Sequence, residues 1–163
     1  AIDFCIDMAE EPLTEDIIKE LHRILKQSTR DSSLAWFAVG DYKKRANVVG
    51  GHETAKPKEV APRMKALLSE YEARTAVTIN DIIHFHYAFE RIHPFQDGNG
   101  RVGRLIALKE CLRFRIIPFI IEDDKKMYYY RGLSEWEKGY LTDTCLDGQD
   151  TFRKLMAMFD IRS

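Results

Sequence analysis

The sequence predicts an all-α domain with a small β-hairpin flap. Apolar residues recur at helical spacing along most of the chain, and one β-branched segment beside two glycines interrupts that pattern. The 163 residues suit one domain with one core, so we predict a single domain over residues 1–163. The chain opens on the apolar residues Ile2, Phe4 and Ile6, which resemble the end of a helix that begins upstream. A longer protein, with segments before residue 1 and after residue 163, is compatible with this start.

The first long helix is predicted to begin after Thr14, because a threonine hydroxyl caps helix N-termini well. Glu15 and Asp16 follow in the first turn, where carboxylates complement the helix dipole. Six apolar stripes at helical spacing predict the helices, and they begin at Ile17, Val60, Ile79, Val102, Met127 and Phe152.

The segment 40–57, between the first two stripes, breaks the helical pattern. Val48 and Val49 are β-branched, and Gly50 and Gly51 follow them directly. Such a sequence is typical of a strand that ends in a tight turn. We therefore predict a loop that carries a small β-hairpin or an extended flap.

Charge balance and cysteine content exclude several classes of protein. The 25 basic and 26 acidic residues nearly cancel, whereas nucleic-acid binders usually carry a basic excess, so we expect no nucleic-acid partner. Cys5, Cys111 and Cys145 are too few for a disulfide scaffold, and we expect a buried thiol at Cys111 and a reducing compartment, the cytoplasm. No signal peptide is visible and no apolar run approaches the ~20 residues that span a bilayer, so no membrane partner is expected.

A glycine-rich turn between two helical stripes carries the strongest functional signal. Residues 93–104 read HPFQDGNGRVGR, in which a proline ends the helix that runs into His93 and a new helix is predicted from about Gly100. Gly98 and Gly100 can adopt backbone angles that other residues avoid, so several N–H groups converge at the start of the new helix. A turn of this kind is an anion site.

Four side chains around this turn suit a polyphosphate. Arg101 and Arg104 project from one turn of the new helix, where guanidinium groups can bind phosphate oxygens. Asp97 stands before the turn, and a carboxylate beside phosphates commonly holds Mg²⁺. His93 can accept a proton near neutral pH, which suits a base that activates an attacking hydroxyl.

The twelve residues 93–104 resemble the signature of the Fic family, His-Pro-Phe-x-Asp/Glu-Gly-Asn-Gly-Arg-x-x-Arg, at every defining position. The resemblance implies a Fic-type helical bundle. It also implies a protein adenylyltransferase, which transfers AMP from ATP to a Ser, Thr or Tyr hydroxyl of a target protein and releases pyrophosphate.

The same resemblance implies a role for each residue of the motif. His93 would be the base that activates the hydroxyl, and Asp97 would hold Mg²⁺ against the α- and β-phosphates. Phe95 would face the core and fix the loop. The remaining motif residues would bind ATP: Gly98, Asn99 and Gly100 as an anion hole, Arg101 at the β-phosphate and Arg104 at the γ-phosphate.

Two further segments and the partners follow from the resemblance. Tyr129 or Tyr130 would lie near the adenine. The flap would hold the target segment in an extended form, as in strand addition, and comprises Val48, Val49, Gly50, Gly51 and His52. The expected partners are a target protein and the chain itself, by auto-AMPylation; a homodimer is compatible with the sequence.

Other activities and modes of control stay open at this point. A Fic relative could use another nucleotide donor or remove AMP, and a non-catalytic nucleotide-sensing domain is the rival from a different class. Gly98 and Gly100 favour AMP transfer over transfer of the γ-phosphate. The family's inhibitory pattern, Ser/Thr-x-x-x-Glu-Gly/Asn, is not matched at Ser69 or Ser134. We therefore expect that this chain lacks its own brake and is constitutively active; an inhibitory helix upstream and a separate antitoxin chain are the alternatives.

Some residues have structural explanations as good as functional ones. His84, His86 and His93 suggest zinc, but His84 and His86 point to different helix faces and cysteine or carboxylate partners at metal spacing are missing. His86 is better explained as a core histidine. The basic cluster 43–45 is predicted to be a solvated face, with target docking as the alternative.

Overall fold

The computed structural model describes residues 1–34 and 36–159, apart from the side chains of Asp31 and His52. Seven α-helices are present in these ranges: α1 Ile2–Asp7, α2 Glu15–Lys26, α3 Pro57–Glu72, α4 Ile79–Ile92, α5 Asn99–Arg113, α6 Lys126–Ser134 and α7 Tyr140–Met158. Short 3₁₀ turns lie at Arg30–Ser33, Asp123–Lys125 and Trp136–Lys138. The predicted all-α class is confirmed. No helix of the described ranges is long and apolar enough to cross a bilayer.

The predicted flap is a two-stranded antiparallel hairpin. Strand β1, Val48–Val49, pairs with strand β2, His52–Glu53, and Val49 lies opposite His52. Gly50 and Gly51 form the turn, both with positive φ. The side chains of Val48 and Val49 are exposed, so the hairpin stands clear of the core.

Helix α5 lies at the centre of the fold and packs against α1, α2 and α4. Its buried residues Val102, Ile106 and Cys111 join the main apolar core. Burial raises the pKa of the Cys111 thiol to about 12, so this group stays protonated, and it forms no disulfide. The predicted buried thiol is confirmed.

The ends of the helices that flank the motif are fixed by local chemistry. The Thr14 hydroxyl accepts a hydrogen bond from the Ile17 N–H at 3.3 Å, as the sequence predicts. Thr78 and Asp81 form a reciprocal capping box at the start of α4. At the other end, His93 adopts a left-handed conformation (φ 53°) and α4 stops. The motif therefore leaves α4 at a defined point and in a defined direction.

A second, smaller core connects α6 and α7 to α4. Ile83, Tyr129, Leu141 and Cys145 are buried together there. This packing holds α6 above the start of α5, and Tyr129 and Tyr130 thereby reach the motif.

Candidate functional site

The motif loop is held to the core by Phe95 and Asn99. Phe95 is fully buried and stacks on the His22 ring, with the ring centroids 4.0 Å apart. The Asn99 side chain accepts a hydrogen bond from the Phe95 N–H at 2.8 Å and donates one to the Phe95 carbonyl at 2.9 Å. His22 is hydrogen-bonded to the Asp97 carbonyl at 3.2 Å. The predicted core position of Phe95 is confirmed. The Asn99 side chain points inward, which leaves its backbone N–H for the pocket.

Glycine is needed at positions 98 and 100 of the turn for different structural reasons. Gly98 has a φ of 85° and precedes the first residue of α5, so its backbone requires the freedom that the sequence predicts. Gly100 is helical, and the expectation of unusual backbone angles there is wrong, because α5 already begins at Asn99. A Cβ at residue 100 would lie 3.4 Å from Arg104 Nη1. Gly100 therefore leaves room for a guanidinium.

A pocket of about 230 Å³ opens over this turn. The turn forms its floor and a helix N-terminus, with its unpaired N–H groups, points into it. The structure brings together every residue that the sequence predicts for the nucleotide, and Glu90 in addition; the lining comprises Glu90, His93, Asp97, Gly98, Asn99, Gly100, Arg101, Arg104, Tyr129 and Tyr130.

His93 stands at the edge of the pocket as a neutral ring. Burial, with help from the positive charge of Lys43, lowers its pKa to about 4, although the Glu90 backbone carbonyl and Asp97 act in the opposite direction. An imidazole with this pKa is deprotonated at neutral pH, so it can accept a proton.

The carboxylate of Asp97 lies beside the anion turn and lines the pocket. Its Oδ2 lies 2.6 Å from Lys26 Nζ and 3.5 Å from Arg101 Nη2. Burial works to raise the pKa of Asp97, but the hydrogen bonds from Lys26 and the Gly98 N–H, with the charges of Lys26 and Arg101, hold it below its usual range. The carboxylate is thus ionised, as a magnesium ligand must be.

The donor set around Asp97 fits Mg²⁺. In the described ranges, no group of three or more His, Cys, Asp or Glu side chains could hold a metal by itself. Mg²⁺ commonly takes one or two carboxylates and completes its shell with phosphate oxygens and water. Asp97 beside an anion site offers that arrangement.

Arg104 and the two tyrosines close the far side of the pocket. The guanidinium of Arg104 lies 5.7 Å from the centroid of the Tyr129 ring. Tyr129 is buried, and its hydroxyl lies 2.7 Å from His86 Nε2. His86 is itself buried, which confirms its assignment to the core. Tyr130 is 61% exposed, so it is the tyrosine with a face free for a ligand.

The sequence matches the Fic/DOC family over residues 12–111, which is more than half of the chain. The chain belongs to the Fic/DOC family. The protein adenylyltransferase Fic of Drosophila persimilis is 30% identical over 103 residues, which are 61% of this chain and 20% of that protein. The chain therefore spans about a fifth of the length of the curated relatives it matches.

Solved structures agree with this membership. A Fic-domain signalling protein from Bacteroides thetaiotaomicron superposes with a TM-score of 0.72 at 27% identity, over 96% of this chain and 63% of that one. A Fic family protein from Desulfovibrio desulfuricans shares the fold, with a TM-score of 0.72 at 23% identity over 98% of this chain and 52% of that one. The predicted Fic-type helical bundle is thereby confirmed.

The flap of this Fic domain is tied to the motif loop by hydrogen bonds. The Lys43 N–H donates to the Pro94 carbonyl at 2.8 Å, and the Asn47 side chain donates to the Phe95 carbonyl at 3.2 Å. The Lys43 ammonium donates to Asn47 and Thr54, each at 2.7 Å. Lys43 is 3% exposed, so the predicted solvated face is wrong for this member of the cluster 43–45. Its side chain joins both arms of the flap.

A groove of about 280 Å³ runs between the flap and α6. Val49 and Gly50 line one side, and Tyr130 and Leu133 line the other. Glu90 lines both this groove and the nucleotide pocket, so the two spaces adjoin.

Two residues of the site were missed by sequence reasoning. Lys26 is separated from Asp97 by 71 positions, and no local pattern connects them. Glu90 lies three residues before His93, so the two share a face of α4. Glu90 could have been identified from the sequence by its position, because it lies beside an apolar stripe and one helical turn before the candidate base.

Proposed function

We propose that this Fic domain is a Mg²⁺- and ATP-dependent protein adenylyltransferase that transfers AMP to a Ser, Thr or Tyr hydroxyl of a target protein. The supporting observation is that a neutral, half-buried imidazole and two guanidiniums line one pocket, over the N-terminus of helix α5. The names of the Drosophila relatives point to the same reaction.

His93 is the base of the proposed reaction. Its neutral ring takes the proton from the target hydroxyl as that oxygen attacks the α-phosphate of ATP. A P–O bond forms to the hydroxyl oxygen, and the bond between the α-phosphorus and the bridging oxygen breaks. Pyrophosphate carries away the electron pair, and the proton stays on the ring until solvent removes it.

The turn and the two arginines neutralise the phosphates in this proposal. The turn at residues 98–100 lies at the start of α5, where the helix dipole favours negative charge, and the backbone N–H groups of Asn99 and Gly100 would bind the phosphates while the Gly98 N–H holds Asp97. Arg101 and Arg104 bind the β- and γ-phosphates. Asp97 would hold Mg²⁺, which supplies positive charge against the α- and β-phosphates.

The flap positions the target segment. Strand β1 pairs with β2 along one edge, and its other edge has no strand partner among the described residues, so a target strand can be added there. An extended peptide there lies in the groove that Glu90 shares with the nucleotide pocket. A flexible segment of a second copy can occupy the same groove, which gives auto-AMPylation.

Transfer with each nucleotide tests the proposal directly. The purified chain is mixed with Mg²⁺ and with ATP, GTP, UTP or CDP-choline, and intact mass spectrometry reports the group added to the chain itself or to proteins of a lysate. We expect the mass of AMP from ATP, and none from His93→Ala. His84→Ala, on the same helix but outside the pocket, is the matched control. Transfer of a single phosphate, or transfer by His93→Ala at the wild-type rate, would contradict the proposal.

A further inference from the structure

Glu90 places a buried carboxyl group behind the ring of His93. Its side chain is 9% exposed, and its Oε2 lies 3.9 Å from His93 Nδ1. Within the described part of the chain, neither Glu90 Oε1 nor His93 Nδ1 has a hydrogen-bond partner. Oε2 thus faces the His93 ring without a formed hydrogen bond, and Oε1, the carboxyl oxygen without a partner, lies towards Gly100 and Gly103.

The surroundings of Glu90 keep this space open for a carboxyl group. A Cβ at Gly103 would lie 2.8 Å from Glu90 Oε1 and 2.8 Å from His86 Nδ1, so only glycine fits there without displacement. A Cβ at Gly100 would lie 3.8 Å from the same oxygen. Gly103 therefore makes room for Glu90 beside the pocket, whereas a Cβ at Gly100 would make only an ordinary contact with it.

A buried carboxyl oxygen without a partner is costly, so its presence at this place calls for a role. A buried polar atom without a partner costs about 1–3 kcal/mol, and a leucine would fill the space without that cost. The groups that face Glu90 are His86 and His93 from α4 and its end, Arg104 from α5 and Tyr129 from α6. Burial raises the pKa of Glu90 to about 7, against the opposing charge of Arg104, so the group can ionise when a positive charge appears nearby.

We propose that Glu90 is a positioning residue for the base: its carboxylate accepts the Nδ1–H of His93 and supports the ring while Nε2 takes the proton from the target hydroxyl. This inference rests on the proposed function. The hydroxyl proton moves to Nε2, the Nδ1 proton stays on Nδ1, and the carboxylate faces the resulting imidazolium. A third group that orients a base and stabilises its charged form in this way is a recurrent device.

The distance of 3.9 Å between Glu90 Oε2 and His93 Nδ1 is consistent with a site that has no substrate bound. A rotation that brings the two atoms about 1 Å closer would form the hydrogen bond, and catalytic hydrogen bonds are often long before substrate binds. The Glu90 backbone carbonyl also faces the His93 ring. The test must therefore separate the side chain from the backbone of the same residue.

Two variants make that separation. Glu90→Gln keeps an acceptor but removes the charge, and Glu90→Met removes both at similar volume. Glu70→Gln, an exposed glutamate of α3, is the matched control. Long-range ¹H–¹⁵N NMR of the histidine rings at pH 7 reports which nitrogen of His93 carries the proton, and it needs no activity.

We expect the Nδ1–H form in the wild type and in Glu90→Gln, and a mixture of both forms in Glu90→Met. In the transfer assay we expect kcat to fall about 10-fold for Glu90→Gln and about 100-fold for Glu90→Met, with an unchanged Kd for ATP. An unchanged Nδ1–H form in Glu90→Met would show that the backbone carbonyl alone holds the ring, and would overturn the inference whatever happens to kcat. A wild type that transfers no group but shows this NMR pattern would sink the proposed function and leave the Glu90–His93 relationship standing.

Discussion

Lys26 Nζ lies 2.6 Å from Asp97 Oδ2, the carboxylate that faces the anion turn. The Lys26 side chain is 4% exposed and lies over the Phe37 ring, whereas the Asp97 side chain is 54% exposed. The ammonium group of a buried lysine therefore already pairs with the Asp97 carboxylate. A Mg²⁺ ion that binds Asp97, as we propose, would therefore share this carboxylate with Lys26.

Replacement of Lys26 by methionine should lower the Mg²⁺ concentration needed for ATP binding. The change removes a positive charge beside Asp97 and keeps the apolar stem against Phe37. Repulsion between a monovalent and a divalent cation at this range corresponds to roughly 1 kcal/mol or more, so we expect about a tenfold shift. Isothermal titration of ATP at several Mg²⁺ concentrations measures it, with exposed Lys65→Met as control. An increased demand for Mg²⁺ would instead mean that Lys26 binds phosphate.

Asn99→Ala should both destabilise the fold and abolish nucleotide binding. Both hydrogen bonds to the backbone of Phe95 are lost. The buried Phe95 N–H loses its acceptor, which costs about 1–3 kcal/mol, whereas the Phe95 carbonyl keeps the bond from Asn47. The loop that carries Asp97 and Gly98 would then lose its fixed shape. Denaturant unfolding and ATP titration are the measurements, and Asn80→Ala, an exposed position of α4, is the control. An Asn99→Ala protein with wild-type stability would contradict the role of these bonds.

The parts of this site that depend on local sequence could be predicted. A histidine before a proline, a glycine turn and two arginines one helical turn apart fix the anion site by their spacing alone, and the structure places them in one pocket. The capping of α2 by Thr14 and the glycine turn of the flap are equally local. These features need only the backbone geometry of adjacent residues.

The parts that depend on packing between distant elements could not be predicted. Lys26 reaches Asp97 only because α2 packs against α5, and Lys43 is buried only because the flap folds onto the motif loop. Tyr129 and Tyr130 are neighbours in sequence, yet the contact between α6 and α4 buries the first and leaves the second exposed. Spacing does not reveal which tyrosine faces the ligand.

The two arginines should differ in the nucleotides that they distinguish. If Arg104 contacts the γ-phosphate and Arg101 the β-phosphate, Arg104→Gln should weaken ATP binding and leave ADP binding unchanged, whereas Arg101→Gln should weaken both. The loss of one charged hydrogen-bonded contact corresponds to about 1.5–3 kcal/mol, or roughly 10- to 100-fold in Kd. Titrations with ATP, ADP and AMP measure the pattern, and Arg63→Gln on the exposed face of α3 is the control. Equal losses for AMP in both variants would contradict the assignment.

The pH dependence of stability should be set by three buried histidines against one buried glutamate. Burial lowers the pKa of His22, His86 and His93 to about 4. Between about pH 4 and 6.5 the unfolded chain binds protons on these rings and the native chain does not. Their contribution to stability is therefore complete above pH 6.5 and is lost as the pH falls towards 4.

Glu90 acts in the opposite direction. Burial raises its pKa to about 7, so between about pH 4.5 and 7 the native carboxyl group holds a proton that the unfolded chain releases. Its contribution to stability is complete below about pH 4.5 and is lost as the pH rises to 7. Near pH 5.5 the unfolded chain should therefore bind about two more protons than the native one, and the free energy of unfolding should fall by roughly 2–3 kcal/mol for each pH unit of acidification.

Urea unfolding at pH 7.0, 6.0 and 5.0 tests this expectation. Glu90→Gln removes the carboxyl group whose proton uptake opposes that of the histidines. The difference in bound protons between the unfolded and native chains then rises by about one, so the free energy of unfolding should fall more steeply with acidification than in the wild type. Glu70→Gln should follow the wild-type curve. A free energy of unfolding of Glu90→Gln that is constant from pH 7.0 to 5.0 would mean that the three rings titrate alike in the native and unfolded states, and it would contradict the lowered pKa of these histidines.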